Sequence, residues 1–569
     1  MNIRFNDGAA SDPEQDARDA LARQAALRIA HDFPSFEPAM TVGYRSSGRT
    51  LIVGSAIDAL PLADQLATAL PVTVVLLDEP DGAARIYPVH AARNVALAGW
   101  LGAFEARWQA PGQPVGGGKF DLVLDLCPQR LIDSHQSPHG YHAPGPGAVA
   151  RSAAVTALLD LVGDFEKPKY FNYNERICAH SRNGIDACNA CIDICSAKAI
   201  IGDGDTIKVN PYLCAGCGAC GTVCPTGAMR YAYPPAPLTG KRIQAALRAF
   251  REAGGAQPVL LLHDAAGAEL LALLKDAVPG RVLPFELHHV AATGIDVWLA
   301  ALAYGAAGVA ILAAGDVAPQ YISALGEQMT IAQTVLDGLG YDGPHFQLVQ
   351  AGAGPEAAQE LALALRHAPR GATCTTPATF HLATEKRNTL DYALDHLHTH
   401  APQQPVHIDL PPRAPFGTLN VNPATCSLCM SCVGVCPANA LQDGQGEPQL
   451  RFIEKNCVQC GLCANTCPEN AITLVPRMSF APERMKAVVL NASQPFHCIR
   501  CSKPFGTLQM VENMLGRLGS HPAFAANLDR LRMCGDCRVI DMMAPADEPC
   551  TEAIPGITPS FSRAVTAPE

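Results

Sequence analysis

One run of cysteines constrains this chain more than anything else in it: Cys214-Ala-Gly-Cys217-Gly-Ala-Cys220-Gly-Thr-Val-Cys224-Pro225. Three thiols recur every third residue, and a fourth follows, immediately before a proline. The pattern returns at Cys426, Cys429, Cys432 and Cys436-Pro437, and again at Cys457, Cys460, Cys463 and Cys467-Pro468. An altered copy lies upstream at Cys178, Cys188, Cys191 and Cys195, with nine residues in its first gap instead of two and Ser196 in place of the proline. Thiols at this spacing turn a short loop around a common centre, and three thiolates then reach three irons of a cuboidal cluster. Proline offers no N–H and stops a helix from continuing, while Gly216, Gly218 and Gly221 allow the backbone close approach. Disulfides and tetrahedral zinc suit the spacing less well.

Ala199-Ile200, Ala440-Leu441 and Ala471-Ile472 follow three of the motifs, and Ala228-Met229 follows the remaining one. Motifs and flanks together resemble the bacterial 2[4Fe-4S] ferredoxins, present here as two modules. The resemblance implies a hairpin strand after each loop and crossed ligation. Cys178, Cys188 and Cys191 would join Cys224, and Cys214, Cys217 and Cys220 would join Cys195. In the second module Cys426, Cys429 and Cys432 would join Cys467, and Cys457, Cys460 and Cys463 would join Cys436. Four 4Fe-4S clusters are the implied complement.

At 569 residues the chain is too long for one core. Its 48% hydrophobic content suffices for several, and a formal net charge of −11 with no concentrated basic patch argues against nucleic acid as a partner. Of 23 cysteines, most fall in cluster motifs or C-x2-C pairs rather than a disulfide framework, and the first residues, Met1-Asn-Ile-Arg-Phe, form no export signal. A cytoplasmic location is expected. Val297–Gly315 is a long, apolar, uncharged run, but glycines break it, so it reads as a helix, a turn and a strand rather than a membrane span.

The fold class expected is α/β plus α+β and multidomain: two small α/β sandwich domains, two bacterial-ferredoxin-like modules and a cysteine-rich zinc-binding tail. The boundaries are 1–35 for an N-terminal tail with a helix around 16–30, 36–165 for a Rossmann-like α/β domain, and 166–235 for the first ferredoxin module. They continue with 236–370 for a second α/β domain, 371–416 for a linker with one helix over 377–397, 417–476 for the second module, and 477–569 for a helical tail.

In the first α/β domain Gly54-Ser-Ala56 follows the strand Thr50–Val53, and Asp78 ends the next. The positions echo a dinucleotide fingerprint, but only its first glycine is present, so a bare structural fold is preferred. Gly116-Gly-Gly-Lys119 lacks the spacing of a phosphate loop. His135, His139 and His142, and likewise His396, His398 and His400, read as solvated residues before metal ligands. The stretch from Val282 to Leu312 resembles the delta subunit of methyl-viologen-reducing hydrogenase, an electron-transfer family. With no cysteine between Cys224 and Cys374, the domain here is expected to carry no cluster and to act as a docking scaffold. In the tail, Cys498-Ile-Arg-Cys501 and Cys534-Gly-Asp-Cys537 are two knuckles whose four thiolates suit zinc, with rubredoxin-like iron as the alternative. Cys127, Cys374 and Cys550 are left over, as ordinary thiols.

No catalytic residue set is visible. The chemistry on display is one-electron transfer, and the order of segments resembles the large ferredoxin-like proteins that accompany bacterial molybdenum-dependent formate dehydrogenases. That implies redox protein partners, and either an electron conduit or an iron–sulfur scaffold or maturation factor. A flavin- or nicotinamide-dependent oxidoreductase subunit is the rival class.

Overall fold

The computed structural model describes residues 13–79, 83–109, 114–274, 277–445, 447–521 and 527–543. They fall into two compact units: everything up to Phe416 together with Pro476–Phe480, and Gly417–Val475 together with the residues from Ala481 onward.

The parallel sheet of the first α/β domain is built on Thr50–Gly54, buried on both faces, with Leu51, Ile52 and Val53 as its apolar centre, as a central parallel strand requires. It sits third in a five-stranded parallel sheet ordered Val89–Ala91, Val72–Leu76, Thr50–Gly54, Leu122–Asp125, Tyr141–His142. The helix Ala56–Leu66 buries Ala59, Leu60, Ala63 and Leu66 against it. A second, antiparallel sheet was not anticipated: Asn94–Ala98, Phe104–Gln109 and Gly116–Phe120. Gly116-Gly-Gly-Lys119 is one of its strands, pressed against Trp108, so it makes no phosphate loop.

The second α/β domain is a four-stranded parallel sheet, ordered Val282–Glu286, Val259–His263, Gly308–Ala314, Phe346–Ala351. The uncharged run resolves into the helix Ile295–Ala303 and the strand Gly308–Ala314. Among the described residues no helix is long and apolar enough to cross a membrane.

Two segments expected to stand apart are part of this domain. The helix Pro13–His31 lays Ala22, Ala26 and Ala30 into the same core as Ile243, Leu247 and Phe250. Arg23 donates to the Val278 carbonyl at 2.7 Å, and Asp19 accepts the Ala256 N–H at 2.8 Å. The supposed linker also belongs to the core. Its helix runs Lys386–Thr399, starting later than expected, and buries Leu390, Ala393, Leu394 and Leu397. The residues before it are extended and held by tertiary bonds: Ala378 N–H to the Ala303 carbonyl at 2.8 Å, and Tyr304 Oη to the Phe380 carbonyl at 3.0 Å. Extended backbone satisfied by tertiary partners has no helical reason to start at Pro377.

The segment expected to form the first ferredoxin module consists of two strand pairs, Phe171–Tyr173 with Met229–Tyr231 and Ile200–Asp203 with Thr206–Val209, around the short helices Ala190–Asp193 and Ala219–Val223. The nine-residue gap folds as a miniature hairpin, Ser181–Arg182 against Ile185–Asp186. Its turn residues Asn183 and Gly184 both have positive φ, 54° and 74°, the I′-type geometry that Asn-Gly favours. Asp205 accepts both turn N–H groups, and the Cys188 N–H bonds the Ala179 carbonyl, so the excursion closes where it began.

In the second unit Leu441–Gly444, Glu447–Phe452 and Val488–Ala492 form one antiparallel sheet. The last strand lies beyond residue 477, so the tail begins by completing the module. The tail expected to be helical has helices, Leu508–Leu518 and Gly535–Met543, but a hairpin of Pro495–His497 and Pro504–Thr507 precedes them. Thr507 caps the first of these helices through Met510 N–H at 3.0 Å and donates to the Ser427 carbonyl at 3.2 Å, so this part of the tail rests on the loop that carries Cys426 and Cys429.

Candidate metal centres

The loops repeat one backbone conformation. Two and four residues after the first cysteine of each regular motif, φ is positive: Gly216 and Gly218, Leu428 and Met430, Gln459 and Gly461. Three residues after the last cysteine it is positive again, at Lys198, Gly227, Asn439 and Asn470. A left-handed residue is costly unless it is glycine or the site demands it. Its recurrence at Leu428, Met430 and Gln459 shows that loop geometry, not residue type, dictates the turn. The helices Ala219–Val223, Ser431–Val435 and Leu462–Thr466 each end on the fourth cysteine in extended conformation, before the proline.

That fourth cysteine then accepts a backbone N–H from just beyond the turn, one residue past it in three loops and two past it at Met229. Ala199 N–H lies 3.2 Å from Cys195 Sγ, Met229 N–H 3.4 Å from Cys224, Ala440 N–H 3.3 Å from Cys436, and Ala471 N–H 3.3 Å from Cys467. N–H groups aimed at sulfur stabilise thiolate, the form that binds metal.

The sulfurs gather in four sets. Cys426, Cys429, Cys432 and Cys467 line one cavity, and Cys436, Cys457, Cys460 and Cys463 line another. In the first module the grouping emerges from electrostatics. Burial, then Cys224, Cys188 and Cys178, pushes the Cys191 thiol up. Burial, then Cys217, Cys214 and Cys195, pushes Cys220 well up. Burial, then Cys426, Cys429 and Cys467, takes Cys432 to about 12. Four thiols that raise one another in an apolar enclosure hold their protons tightly as long as nothing offsets the charge of four thiolates together, and a polycation that takes all four as thiolates offsets it. Cys220 also feels Cys191, and Cys463 feels Cys432, so the two sets within each module are neighbours.

The first unit surrounds its module with donors that the cysteine motifs do not announce. Tyr321 Oη donates to Cys217 Sγ at 3.0 Å and is bonded to Ser196 Oγ. Lys167 Nζ donates to the carbonyls of Tyr212 and Cys214, each at 2.8 Å; burial pushes its amine down to about 8, against the pull of Cys214. Lys386 Nζ donates to the carbonyls of Gly221, Thr222 and Cys224. Ser196 was the one visible signal, as a departure from proline; the tyrosine it meets lies 125 residues away in sequence.

In the tail, one ligand atom from each of Cys498, Cys501, Cys534 and Cys537 lies within 4.8 Å of the others. The first knuckle is the tip of the hairpin, where Cys498 N–H bonds the Lys503 carbonyl at 2.9 Å and Ser502 takes a φ of 56°. Burial alone would raise the Cys498 thiol, but the N–H groups of Cys534, Cys501 and Arg500 outweigh it and bring it down to about 6. Burial and the neighbouring thiols push Cys537 up instead, and four thiols gathered this closely are a donor set that fits a tetrahedral metal ion.

The remaining candidates come apart. Ala56 N–H donates to both Asp78 carboxylate oxygens, at 2.9 and 3.0 Å. The helix start that would face a pyrophosphate therefore already holds an anion. His135 pairs with Asp316 at 3.1 Å, His396 with the Thr376 carbonyl at 2.7 Å, and His398 with the Pro405 carbonyl at 3.2 Å. The His396 and His400 rings lie 4.6 Å apart, but among the described residues neither trio brings three ligand atoms together. Cys374 is buried and donates to the Thr376 carbonyl at 3.2 Å, Cys127 is half-buried, and Cys550 lies outside the described residues. No described cysteine is in a disulfide.

Residues 425–472 match the model of the 4Fe-4S dicluster domain, and residues 207–230 match that of the 4Fe-4S binding domain. The matches span three of the four motifs; Cys178, Cys188, Cys191 and Cys195 lie outside them. No curated protein matches the chain. The two matched regions are ferredoxin-type iron–sulfur domains, whose chemistry is electron transfer.

Proposed function

We propose that this chain is a multi-cluster electron carrier with four 4Fe-4S clusters, two per ferredoxin module, and one zinc in its tail. The observation that carries the reading is the gathering of sixteen motif cysteines into four groups of four, each drawing its fourth member from the neighbouring motif. Each cluster, when bound, supplies one reversible electron. The protein's part is to hold the thiolates, direct N–H and O–H groups at sulfur, and wall the sites with apolar side chains. Pairs of neighbouring sites within a module give an electron a short step from one to the next.

The cysteine arrangement supports a reducing, cytoplasmic setting. The order of segments supports service to a molybdenum-dependent formate dehydrogenase-type system, as conduit before maturation factor, because donors aimed at sulfur tune a potential and a purely structural cluster has no use for tuning. Anaerobic purification with iron and sulfide analysis and EPR tests the core of the reading. About 16 iron per chain is expected, with reduction by dithionite; about half that would leave one module empty. Transfer of electrons from a reduced formate dehydrogenase of this class, followed by visible bleaching, tests the partner.

A further inference from the structure

We propose that Tyr321 sets the reduction potential of the cluster held by Cys195, Cys214, Cys217 and Cys220, by donating its phenolic hydrogen to Cys217; this rests on the cluster reading above. Tyr321 stands in the first turn of the helix Pro319–Gly338, in a domain that carries no cluster motif of its own. Its ring is 1% exposed, packed with Ile194, Ala219, Ala291 and Ala318, and edge-on to His289 at 5.2 Å. Its oxygen lies 3.0 Å from Cys217 Sγ.

The second contact of that oxygen explains an oddity of the sequence. The position after the fourth cysteine is proline in three motifs, Pro225, Pro437 and Pro468, and serine at Ser196. Proline has no hydrogen to give. Ser196, 3% exposed, bonds the Tyr321 oxygen. A tyrosine hydroxyl carries one hydrogen; once that hydrogen points at sulfur, the serine must donate to the phenol oxygen. Ser196 is thus a positioning residue: its donation turns the phenol toward Cys217 and makes it a stronger donor, as outer-shell partners of metal ligands do. The relay joins Cys217 to the residue following Cys195, two ligands of the same set, across the junction of two domains.

Reduction adds an electron whose density spreads onto the sulfurs. A hydrogen bond to a ligand sulfur therefore stabilises the reduced cluster more than the oxidised one and raises the potential. The test is an EPR-monitored redox titration of the full chain, anaerobically prepared, against Tyr321→Phe, which keeps the ring and its packing. One midpoint should fall by about tenfold in its reduction equilibrium constant, ~59 mV for a one-electron couple. The other midpoints and the iron content should stay where they are. Ser196→Ala, which leaves the tyrosine in place, should move the same midpoint in the same direction by less. Unchanged midpoints in iron-replete Tyr321→Phe overturn the inference while the cluster reading stands. If Tyr321→Phe comes out short of iron, the Ser196→Ala titration decides, an unmoved midpoint there overturning it. A wild-type chain without reducible clusters refutes the underlying reading instead.

Discussion

Replacing Lys386 by methionine should loosen the first ferredoxin module from a position that reads, in sequence, as a linker. The amine reaches the Gly221 and Cys224 carbonyls at 3.4 and 3.5 Å and bonds the Thr222 carbonyl more closely. These are the last carbonyls of the helix Ala219–Val223, which carries Cys220. A helix of that length leaves every terminal carbonyl without an intrahelical partner, and a cation there both bonds them and meets the helix dipole. Burial pushes the Lys386 amine down, with Asp296 and Cys224 pulling it back. The two long contacts add little. The close one is a hydrogen bond from a charged donor, worth ~1.5–3 kcal/mol. Methionine keeps the stem and removes the donor. If the loop must open before iron is captured, the open population rises about 10- to 150-fold, at tenfold per 1.4 kcal/mol. The assay is the rate at which excess chelator bleaches the visible absorption, in the regime where reclosing outruns capture and the rate follows the open population. A bleaching rate equal to wild type would refute the reasoning, and would show that the Lys386 contacts are incidental.

Leu394→Ala should cost ~2–5 kcal/mol, because Leu394 is 1% exposed in the core of the second α/β domain; a melt unchanged from wild type would return residues 386–399 to linker status. Asp121 is held below the usual carboxylate range by Arg49 and Ser47, which outweigh the upward push of burial. A depressed acid gives stability that is complete above its unfolded pKa of ~3.9 and is lost as pH falls through its native value; Asp121→Asn should therefore remove part of the acid sensitivity of the first unit, seen by near-UV circular dichroism. Cys534→Ser should release one metal ion per chain and expose residues 495–543 to limited proteolysis while leaving iron content intact. Loss of iron in place of zinc would assign that site to a rubredoxin-like centre.

The two ferredoxin-type regions were legible because their evidence is local: residue type and spacing along a few residues determine what a loop can wrap. Thr50–Gly54 and Gly308–Ala314 were legible for a similar reason, since a strand buried on both faces must be apolar throughout. The helix expected around 16–30 was also legible and runs Pro13–His31, but its packing into the second α/β domain was not, because its buried stripe is alanine, which carries little hydrophobic signal yet permits close packing. The antiparallel sheet hid behind Gly116-Gly-Gly, where no side chain alternates. The hairpin between Cys178 and Cys188 was available to reading, since Asn183-Gly184 is a strong turn signal. Tyr321 was not, because nothing near residue 321 records a sulfur 104 residues away.

Gly218, Met430 and Gly461 occupy the same place in their loops, four residues after the first cysteine, with φ of 79°, 60° and 85°. Methionine at 430 shows that the turn itself admits a side chain, so cluster geometry alone does not require glycine there. What distinguishes Gly218 is its surroundings. A Cβ added to it would lie 2.6 Å from Ala292 Cα and 2.9 Å from Ala292 Cβ, in the turn Val290–Ala292 of the second α/β domain. A Cβ at Gly461 would meet only Leu474 Cδ1, at 3.9 Å. Gly461→Ala should then cost only the left-handed backbone term, ~1–2 kcal/mol. Gly218→Ala bears the same term and must also displace backbone, which no rotamer change relieves. The displaced turn includes Ala291, which packs beside Tyr321, so the Tyr321–Cys217 bond should be disturbed with it. Thermal unfolding and chelator bleaching of the two variants, compared side by side, test this. Gly218→Ala should lose more stability and bleach faster at its own module. Equal losses would mean that glycine at 218 serves the loop alone and that the second α/β domain does not press on the cluster site.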